Sequence, residues 1–241
     1  MRSAVAQTGL IADIGATNAR FAMAGPDGIF DELILPCEGY DALVGAVKDY
    51  LSKVQPQQRP LHASFAIAGP VTGDWFEMTN HPWSFSIKKT QEELNLDRFT
   101  LLNDFEAVAL SVPHLEKSDL QQIGPGKVIP EAPIGVIGPG TGLGVACLFW
   151  DGFKYCAVPG EGGHVTMPAQ TQREYDVFET LKADKYSHIS AERVCSGKGL
   201  VNIYNALRIM DKRTDLPDRT PEEISAAALK GECELSGEAL D

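Results

Sequence analysis

The chain has 241 residues, of which 44% are hydrophobic, so it can bury the core of one large domain or two modest ones. Its 21 Lys and Arg residues against 33 Asp and Glu give a formal net charge of −12, which argues against nucleic acid or an anionic membrane as a partner. The five cysteines are scattered and form no C-x-x-C pair, so we expect reduced thiols and neither a disulfide framework nor a structural zinc site.

The first half of the chain predicts an alternation of strands and helices. Short apolar runs at Leu10–Ile14, Phe21–Met23 and Ile29–Leu35, separated by small turns, predict a β-meander. A helix is predicted at residues 42–51 because apolar residues recur there near helical spacing. Thr90 followed by Glu93 is a capping-box pattern and predicts the start of a short helix. The remaining predicted elements are strands at 63–68, 75–78 and 100–102 and a helix at 105–110.

The second half repeats the order of strands first and helices afterwards. We predict strands at 134–137, 145–150 and 153–158, then helices at 174–183, 191–210 (broken near 197–199) and 221–229. The best candidate for a membrane span, residues 132–150, is interrupted by glycines and prolines, so no spanning helix is expected. The repeated order suggests two related α/β halves.

A turn of small and polar residues follows the first predicted strand, Asp13-Ile14-Gly15-Ala16-Thr17-Asn18. Glycine permits a close backbone approach, and successive amides in such a turn can bind an anion. Asp13 could order a water molecule bound to Mg²⁺, since that ion prefers carboxylates and water. An ordinary β-hairpin turn has the same composition, so both interpretations stay open.

A second glycine-rich turn, residues 138–144, lies between two predicted strands. It lacks the lysine of a P-loop and is not a G-x-G-x-x-G motif followed by a helix. Its amides and the hydroxyl of Thr141 could nevertheless bind phosphate oxygens. A tight hairpin explains one or two glycines, but it does not easily explain four at alternating positions.

Polar residues also stand at two other junctions. Asn103 and Asp104 follow a predicted strand, where a carboxylate can act as a general base or simply cap the next helix. Glu161 and His164 lie on a glycine-rich loop and suit paired hydrogen bonds to vicinal sugar hydroxyls; two ligands are too few for a metal site. Glu192 could add one more acceptor, although an exposed glutamate at a helix start is the simpler explanation.

Taken jointly, these segments resemble the bacterial glucokinase family of the actin-like sugar kinases. The matching stretches include LIADIGATNARFAMA, LLNDFEAVALSVP, GPGTGLGVACLF, VPGEGGHVTMPA and SAERVCSGKGLVNIY, in the family's order. The resemblance implies a cytoplasmic, ATP-dependent kinase that phosphorylates D-glucose at O6, with Asp104 as general base. It further implies that the hexose is bound by Asn103, Asp104, Glu161, His164 and Glu192.

The same resemblance implies how the cofactor is held. ATP and Mg²⁺ would bind Ala12, Asp13, Ile14, Gly15, Ala16, Thr17 and Asn18 of the first turn and Gly140, Thr141 and Gly142 of the second. Asp13 would meet the metal through a water molecule.

The implied fold is the two-lobed actin-like ATPase fold of the ribonuclease H-like type, an α/β fold with mixed sheets flanked by helices. We place a small N-terminal domain at residues 1–112 and a larger domain at 113–241. The family's adenosine-binding motif and C-terminal helix have no counterpart here, so we expect a C-terminally truncated member with an incomplete second lobe. A homodimer is also implied.

Two other functions stay open at this point. Another hexose or N-acylhexosamine kinase of the same superfamily would share Asp13 and Asp104, but its repressor-type relatives carry a cysteine-rich zinc motif soon after His164, and the next cysteine here is Cys195. A sugar-binding protein without catalysis should lose the base, whereas Asp104 is retained. A truncated chain could still act only as a binder.

Overall fold

The computed structural model describes residues 8–78 and 81–241. The chain divides into two compact units, with the division between Gln121 and Gln122. The sequence-based boundary, between residues 112 and 113, falls inside the first of two short 3₁₀ turns, Val112–His114 and Lys117–Asp119, which the division assigns to the first unit. No helix within the described ranges has the length and apolar character needed to cross a bilayer.

The first unit is built on a mixed sheet. It contains strands β1 (Gly9–Ile14), β2 (Asn18–Gly25), β3 (Gly28–Pro36), β4 (His62–Ile67) and β7 (Arg98–Asn103), in the order β3-β2-β1-β4-β7. A separate hairpin joins β5 (Trp75–Glu77) to β6 (Ser84–Ser86), and the helices are α1 (Leu43–Val54), α2 (Ile87–Glu93) and α3 (Asp104–Ser111). Strands β1, β2 and β3 pair antiparallel, which confirms the predicted meander, whereas β4 is parallel to both β1 and β7.

Aromatic side chains fix the register of this sheet. Phe21 of β2 stacks on Tyr50 of α1, with ring centroids 5.2 Å apart, and meets Phe65 of β4 edge to face at 5.9 Å. Phe65 in turn meets Phe99 of β7 at 5.0 Å. A slip of one residue would turn these rings to the other face of the sheet, so the core specifies which residues end each strand.

The predicted start of α2 at Thr90 is wrong. The helix begins at Ile87, two residues after the hairpin's buried Phe85, and its N-cap is Ser86, whose hydroxyl accepts a hydrogen bond from the Lys89 amide at 3.1 Å. Asp74 supports this cap by accepting from the Ser86 hydroxyl at 2.7 Å and from the Lys88 amide at 2.8 Å. Thr90 lies buried inside the helix, so its spacing to Glu93 has no capping role.

The second unit contains a three-stranded antiparallel sheet and a group of helices. The strands are β8 (Ile134–Pro139), β9 (Leu143–Trp150) and β10 (Tyr155–Gly160), in the order β10-β9-β8, as the sequence predicts. The helices are α4 (Gln172–Asp184), α5 (Gly197–Met210), α6 (Pro221–Leu229) and α7 (Glu234–Leu240). The helix predicted over 191–210 is in fact a 3₁₀ turn at Ala191–Arg193 followed by α5, and α7 is absent from the prediction.

The four helices pack around one apolar cluster. Its centre is formed by Tyr204 and Leu207 of α5, Ile224 of α6 and Leu235 of α7, all at most 4% exposed. Arg173 of α4 closes the outer side of this group by ion pairs with Asp211 at 2.7 Å and Glu238 at 2.6 Å. The apolar cluster and the ion pairs together hold the short helix α7 in place.

Candidate active site

Three parallel strands of the first unit end at the same edge of the sheet. In the register of β1, β4 and β7, Ile14 lies beside Ile67, and Ile67 lies beside Asn103. Neighbouring strands are about 4.8 Å apart, so about 10 Å separate the ends of β1 and β7. The turn that begins at Asp13 and the pair Asn103-Asp104 therefore occupy one edge, at the carboxyl ends of the strands where α/β proteins commonly bind ligands.

The turn after β1 is a hairpin turn with free backbone donors. The Gly15 amide donates to the Asn18 carbonyl oxygen at 3.0 Å, which closes the turn between β1 and β2. The amides of Ala16 and Thr17 donate to no acceptor among the residues described. The turn thus closes a hairpin, as the simpler interpretation predicts, and two of its amides have no acceptor among the residues described, so anion binding stays a prediction.

Two residues that the sequence analysis missed support this turn. Arg20, directly opposite Asp13 in the β1–β2 pairing, donates to the Asp13 carboxylate at 3.0 Å, and both side chains are more than half exposed. Cys37 donates its thiol to the Gly15 carbonyl oxygen at 3.3 Å, and burial raises the pKa of this thiol, which keeps it protonated. The hairpin register would have paired Arg20 with Asp13, whereas nothing in the sequence signals Cys37.

Ala12 and Ile14, two further residues of the first turn that the sequence predicts to bind ATP, have side chains that do not face the sheet edge. Ala12 and Ile14 are buried in the core of the first unit, at 9% and 0% exposure. Only their backbone groups could therefore contact a ligand at the sheet edge.

Asn103, rather than Asp104, is the N-cap of α3. Its side-chain oxygen accepts from the amides of Phe105 at 2.9 Å and Glu106 at 3.2 Å. Its amide nitrogen donates to the Gly69 carbonyl oxygen at 3.1 Å and to Oδ1 of Asp104 at 3.0 Å. All the hydrogen-bonding groups of the Asn103 side chain are thereby occupied. A ligand could bind this side chain only by replacing one of these hydrogen bonds.

Asp104 is held through one carboxylate oxygen and leaves the other free. Oδ1 accepts from the Asn103 side chain and from the Phe105 amide at 2.8 Å, while Oδ2 has no hydrogen-bond partner in the described part of the chain. The carboxylate is partly buried at the helix N-terminus. This arrangement orients one oxygen and keeps the second able to accept a proton.

In the second unit, the turn between β8 and β9 is tied to two later segments. The Gly140 amide donates to the Gly142 carbonyl oxygen at 2.8 Å, and the Gly140 carbonyl accepts from the Gly197 amide at the start of α5 at 2.8 Å. The Leu143 amide donates to Oε2 of Glu192 at 3.0 Å. A methyl group on Gly142 would overlap that same carboxylate oxygen, so a larger residue there would displace the Glu192 side chain.

The loop with Glu161 and His164 packs directly on β9. A methyl group on Gly163 would overlap the Leu143 carbonyl oxygen, and one on Gly162 would lie 2.7 Å from the Val145 side chain. These two glycines are therefore what allows the close approach of the loop to the strand. Glu161 and His164 are exposed, and the Glu161 carboxylate has no hydrogen-bond partner among residues 8–78 and 81–241.

Glu192 joins the predicted sites of the second unit. Besides accepting from Leu143, its carboxylate lies 3.7 Å from Nε2 of His164, and its side chain is 26% exposed. The simpler sequence interpretation, an exposed glutamate at a helix start, is therefore wrong. The second unit brings together the glycine turn, His164 and Glu192, while Thr141 stays exposed with its amide unpaired within the described ranges.

Comparisons with known proteins point to one family. A family model described as glucokinase matches residues 10–241. A glucokinase of Paramagnetospirillum magneticum is 44% identical over 98% of this chain and 74% of its own length. The crystal structure of a glucokinase from an Antarctic psychrotroph is similar with a TM-score of 0.83 and 31% identity, covering 97% of this chain and 74% of that one.

A more distant structure has the same fold. The glucokinase of Balamuthia mandrillaris, crystallised in complex with glucose, has a TM-score of 0.76 at 22% identity, over 100% of this chain and 74% of that one. The expected fold class, an α/β actin-like ATPase fold with mixed sheets, is confirmed by these likenesses and by the sheets described above. With a family model over almost the whole chain and a relative at 44% identity, the chain belongs to the glucokinase family.

Proposed function

We propose that this chain transfers the γ-phosphoryl group of ATP to O6 of D-glucose. The observation that carries the proposal is the Asp104 carboxylate, which is fixed through Oδ1 and free at Oδ2 beside a turn with unpaired amides. Membership of the glucokinase family supports the reaction, and the glucose complex of the Balamuthia mandrillaris relative supports the substrate.

Asp104 is the general base of the proposed reaction. As O6 of the hexose forms its bond to phosphorus, the bond from phosphorus to the leaving ADP oxygen breaks and the hydroxyl proton passes to Oδ2 of Asp104. A positioned base of this kind contributes about 10²–10⁴ in rate. Most of the remaining acceleration in phosphoryl transfer comes from positioning and charge stabilisation.

Polar side chains supply the proposed hexose contacts. Glu161 and His164 supply an exposed carboxylate and an imidazole for vicinal hydroxyls, and Glu192 adds an acceptor that is already oriented by Leu143. Asn103 contacts the sugar only by exchanging a hydrogen bond to Gly69 or Asp104. Paired polar groups of this kind give specificity, because an analogue that lacks a hydroxyl leaves them unsatisfied.

The phosphates of ATP are bound by backbone amides, since the net charge of −12 does not attract them. One group of amide donors, those of Ala16 and Thr17, lies in the segment Ala12–Asn18. The other group lies in Gly140–Gly142, where the Thr141 hydroxyl is a further donor. Asp13 fits Mg²⁺ because it offers an exposed carboxylate, although Arg20 already binds its Oδ2. The metal would neutralise charge on the phosphates when bound.

The activity is tested by a coupled assay of ADP formation with Mg²⁺, ATP and a panel of glucose, mannose, fructose and N-acetylmannosamine. We expect the highest kcat/KM with glucose. Glu161→Gln should raise the KM for glucose about tenfold and leave the KM for ATP within about twofold, since a lost hydrogen bond to a charged group costs about 1.5–3 kcal/mol.

Two results would overturn these assignments. Glucose binding without ADP formation would identify a sugar binder, and a higher kcat/KM for N-acetylmannosamine would identify the other kinase class. An effect of Glu161→Gln confined to the KM for ATP would remove Glu161 from the hexose site.

A further inference from the structure

Cys37 binds the turn after β1 at two points. Its thiol donates to the Gly15 carbonyl oxygen at 3.3 Å, and its backbone amide donates to the Thr17 carbonyl oxygen at 2.8 Å. The residue opens a 3₁₀ turn, Cys37–Gly39, directly after β3. One residue from the end of another strand therefore fixes two peptide groups of the turn that begins at Asp13.

The contact with Gly15 also sets the direction of the Ala16 amide. The Gly15 carbonyl and the Ala16 N–H belong to one planar trans peptide group, in which the two bonds point in opposite directions. Cys37 is 0% exposed and belongs to the core of the first unit, so the carbonyl points towards the core and the Ala16 amide points away from it. That amide donates to no acceptor among the residues described, so it is a donor available to an anion.

Cys37 is itself held in place by buried groups. The Tyr40 amide donates to the Cys37 carbonyl oxygen at 3.1 Å, and the ring nitrogen of Trp83, which is 1% exposed, donates to the Tyr40 carbonyl oxygen at 2.8 Å. Burial raises the pKa of the Cys37 thiol, so at neutral pH it stays protonated and able to donate. The thiol is therefore a fixed donor before any ligand binds.

We propose that Cys37 is a positioning residue that aims the Ala16 amide at a phosphate oxygen of ATP. The inference rests on the proposed function, because that function assigns ATP to the turn after β1. Cys37 acts only through the carbonyl groups it binds and touches no phosphate. Without its thiol, the peptide group between Gly15 and Ala16 is less restrained, and ordering it on binding costs affinity.

Substitutions of Cys37 separate hydrogen bonding from packing. Cys37→Ala removes the donor, whereas Cys37→Ser keeps one in a side chain of similar size. Cys233→Ala removes another buried thiol, in the second unit, and serves as the matched control. In calorimetry with Mg-ATP and no glucose, we expect Kd to rise about fivefold in Cys37→Ala, as for one lost hydrogen bond, and to stay within about twofold in the other two variants. The Kd for glucose, titrated separately, should stay within about twofold in all three.

The Ala16 amide also gives a direct spectroscopic signal. In ¹⁵N-labelled parent chain, we expect its resonance to shift when Mg-ATP is added. In Cys37→Ala the resonance should differ from the parent before any ligand is present, and in Cys37→Ser it should stay close to the parent. A loss of stability alone would not move this resonance in the folded chain. The parent and Cys37→Ser keep the test decisive should Cys37→Ala not fold.

Three results would overturn the role of Cys37. They are an unchanged Kd for Mg-ATP in Cys37→Ala, an equal loss in Cys37→Ser, and an equal loss of affinity for Mg-ATP and glucose, which would indicate a general structural effect. An Ala16 resonance that ignores Mg-ATP in the parent would also overturn it, even if the chain forms ADP. Conversely, a parent that binds Mg-ATP through this amide but forms no ADP with glucose overturns the proposed function and retains the role of Cys37.

Discussion

At the scale of single residues, glycines decide how closely the loop with Glu161 and His164 approaches strand β9 beneath it. Gly163 is buried, and a Cβ atom there would overlap the Leu143 carbonyl oxygen, a backbone atom that cannot rotate away. Gly140, in the nearby turn, has open space in the direction of a Cβ atom. The two positions therefore form a matched pair for the same substitution.

We expect Gly163→Ala to lower the free energy of unfolding by about 1–3 kcal/mol, the usual cost of overpacking. Gly140→Ala should change it by less than about 0.5 kcal/mol, because the methyl group meets nothing. Urea denaturation followed by circular dichroism measures both. Equal effects of the two substitutions would show that the loop does not need glycine at residue 163.

A second residue-scale point concerns Asn103. Its side chain caps α3 and steers Oδ1 of Asp104 at the same time, which accounts for all of its hydrogen-bonding groups. The sequence shows Asn and Asp side by side but does not show which of them caps the helix, because both are good N-caps. In the structure Asn103 forms the N-cap, and Oδ2 of Asp104 has no hydrogen-bond partner in the described part of the chain.

At the scale of elements, α2 illustrates how a capping pattern misleads. The Thr90-Glu93 spacing satisfies the rule, whereas the true cap, Ser86, is followed three residues later by a lysine and so lacks the acidic partner. That partner comes from a distant segment, since Asp74 binds both the Ser86 hydroxyl and the Lys88 amide. Asp74 lies twelve residues before Ser86, so the residues around the start of α2 do not indicate this contact.

This cap makes stability depend on pH in a defined direction. Hydrogen bonds from the Ser86 hydroxyl, and then from the Lys88 amide, lower the pKa of Asp74 below its ordinary value of 3.8. A carboxyl whose pKa is lower in the folded state contributes stability above its unfolded pKa and loses it as the pH falls through the folded value. The contribution of Asp74 is therefore complete at neutral pH.

We expect Asp74→Asn to destabilise the chain at pH 7, and the difference from the parent to shrink as the pH falls below 3.8. Ser86→Ala should cost about 1 kcal/mol, as is typical for loss of an N-cap. Urea midpoints at a series of pH values measure both. A difference between Asp74→Asn and the parent that stays constant with pH would contradict the role of Asp74.

The short helix α7 shows why some elements cannot be predicted locally. It has seven residues, includes Gly237 and has no side-chain cap, so its own helix preference is weak. What holds it is Leu235 in the apolar cluster and Glu238 in the ion pair with Arg173. The ion pair joins residues 65 positions apart, so it forms only after folding.

At the scale of the whole chain, the sequence predicts most of the architecture and the identity of the candidate residues. Short apolar runs locate the meander and the three later strands, and in β1 and β9 the buried residues alternate along the strand. The family resemblance, confirmed by the comparisons, supplies the roles proposed for Asp104, Glu161 and His164. Residues such as Arg20, Cys37 and Gly69 escaped notice because pairing across strands, and not spacing along the chain, brings them to the site.

The central claim is that Asp104 acts as the base of the transfer, and the split between turnover and binding in Asp104→Asn tests it most directly. We expect kcat for ADP formation to fall at least about 100-fold while the Kd for glucose stays within about threefold, since a base acts mainly in the transfer step. Glu106→Gln removes another carboxylate from the first turn of α3 and should keep kcat within about twofold. Unchanged turnover in Asp104→Asn, or an equal loss in Glu106→Gln, would contradict the account.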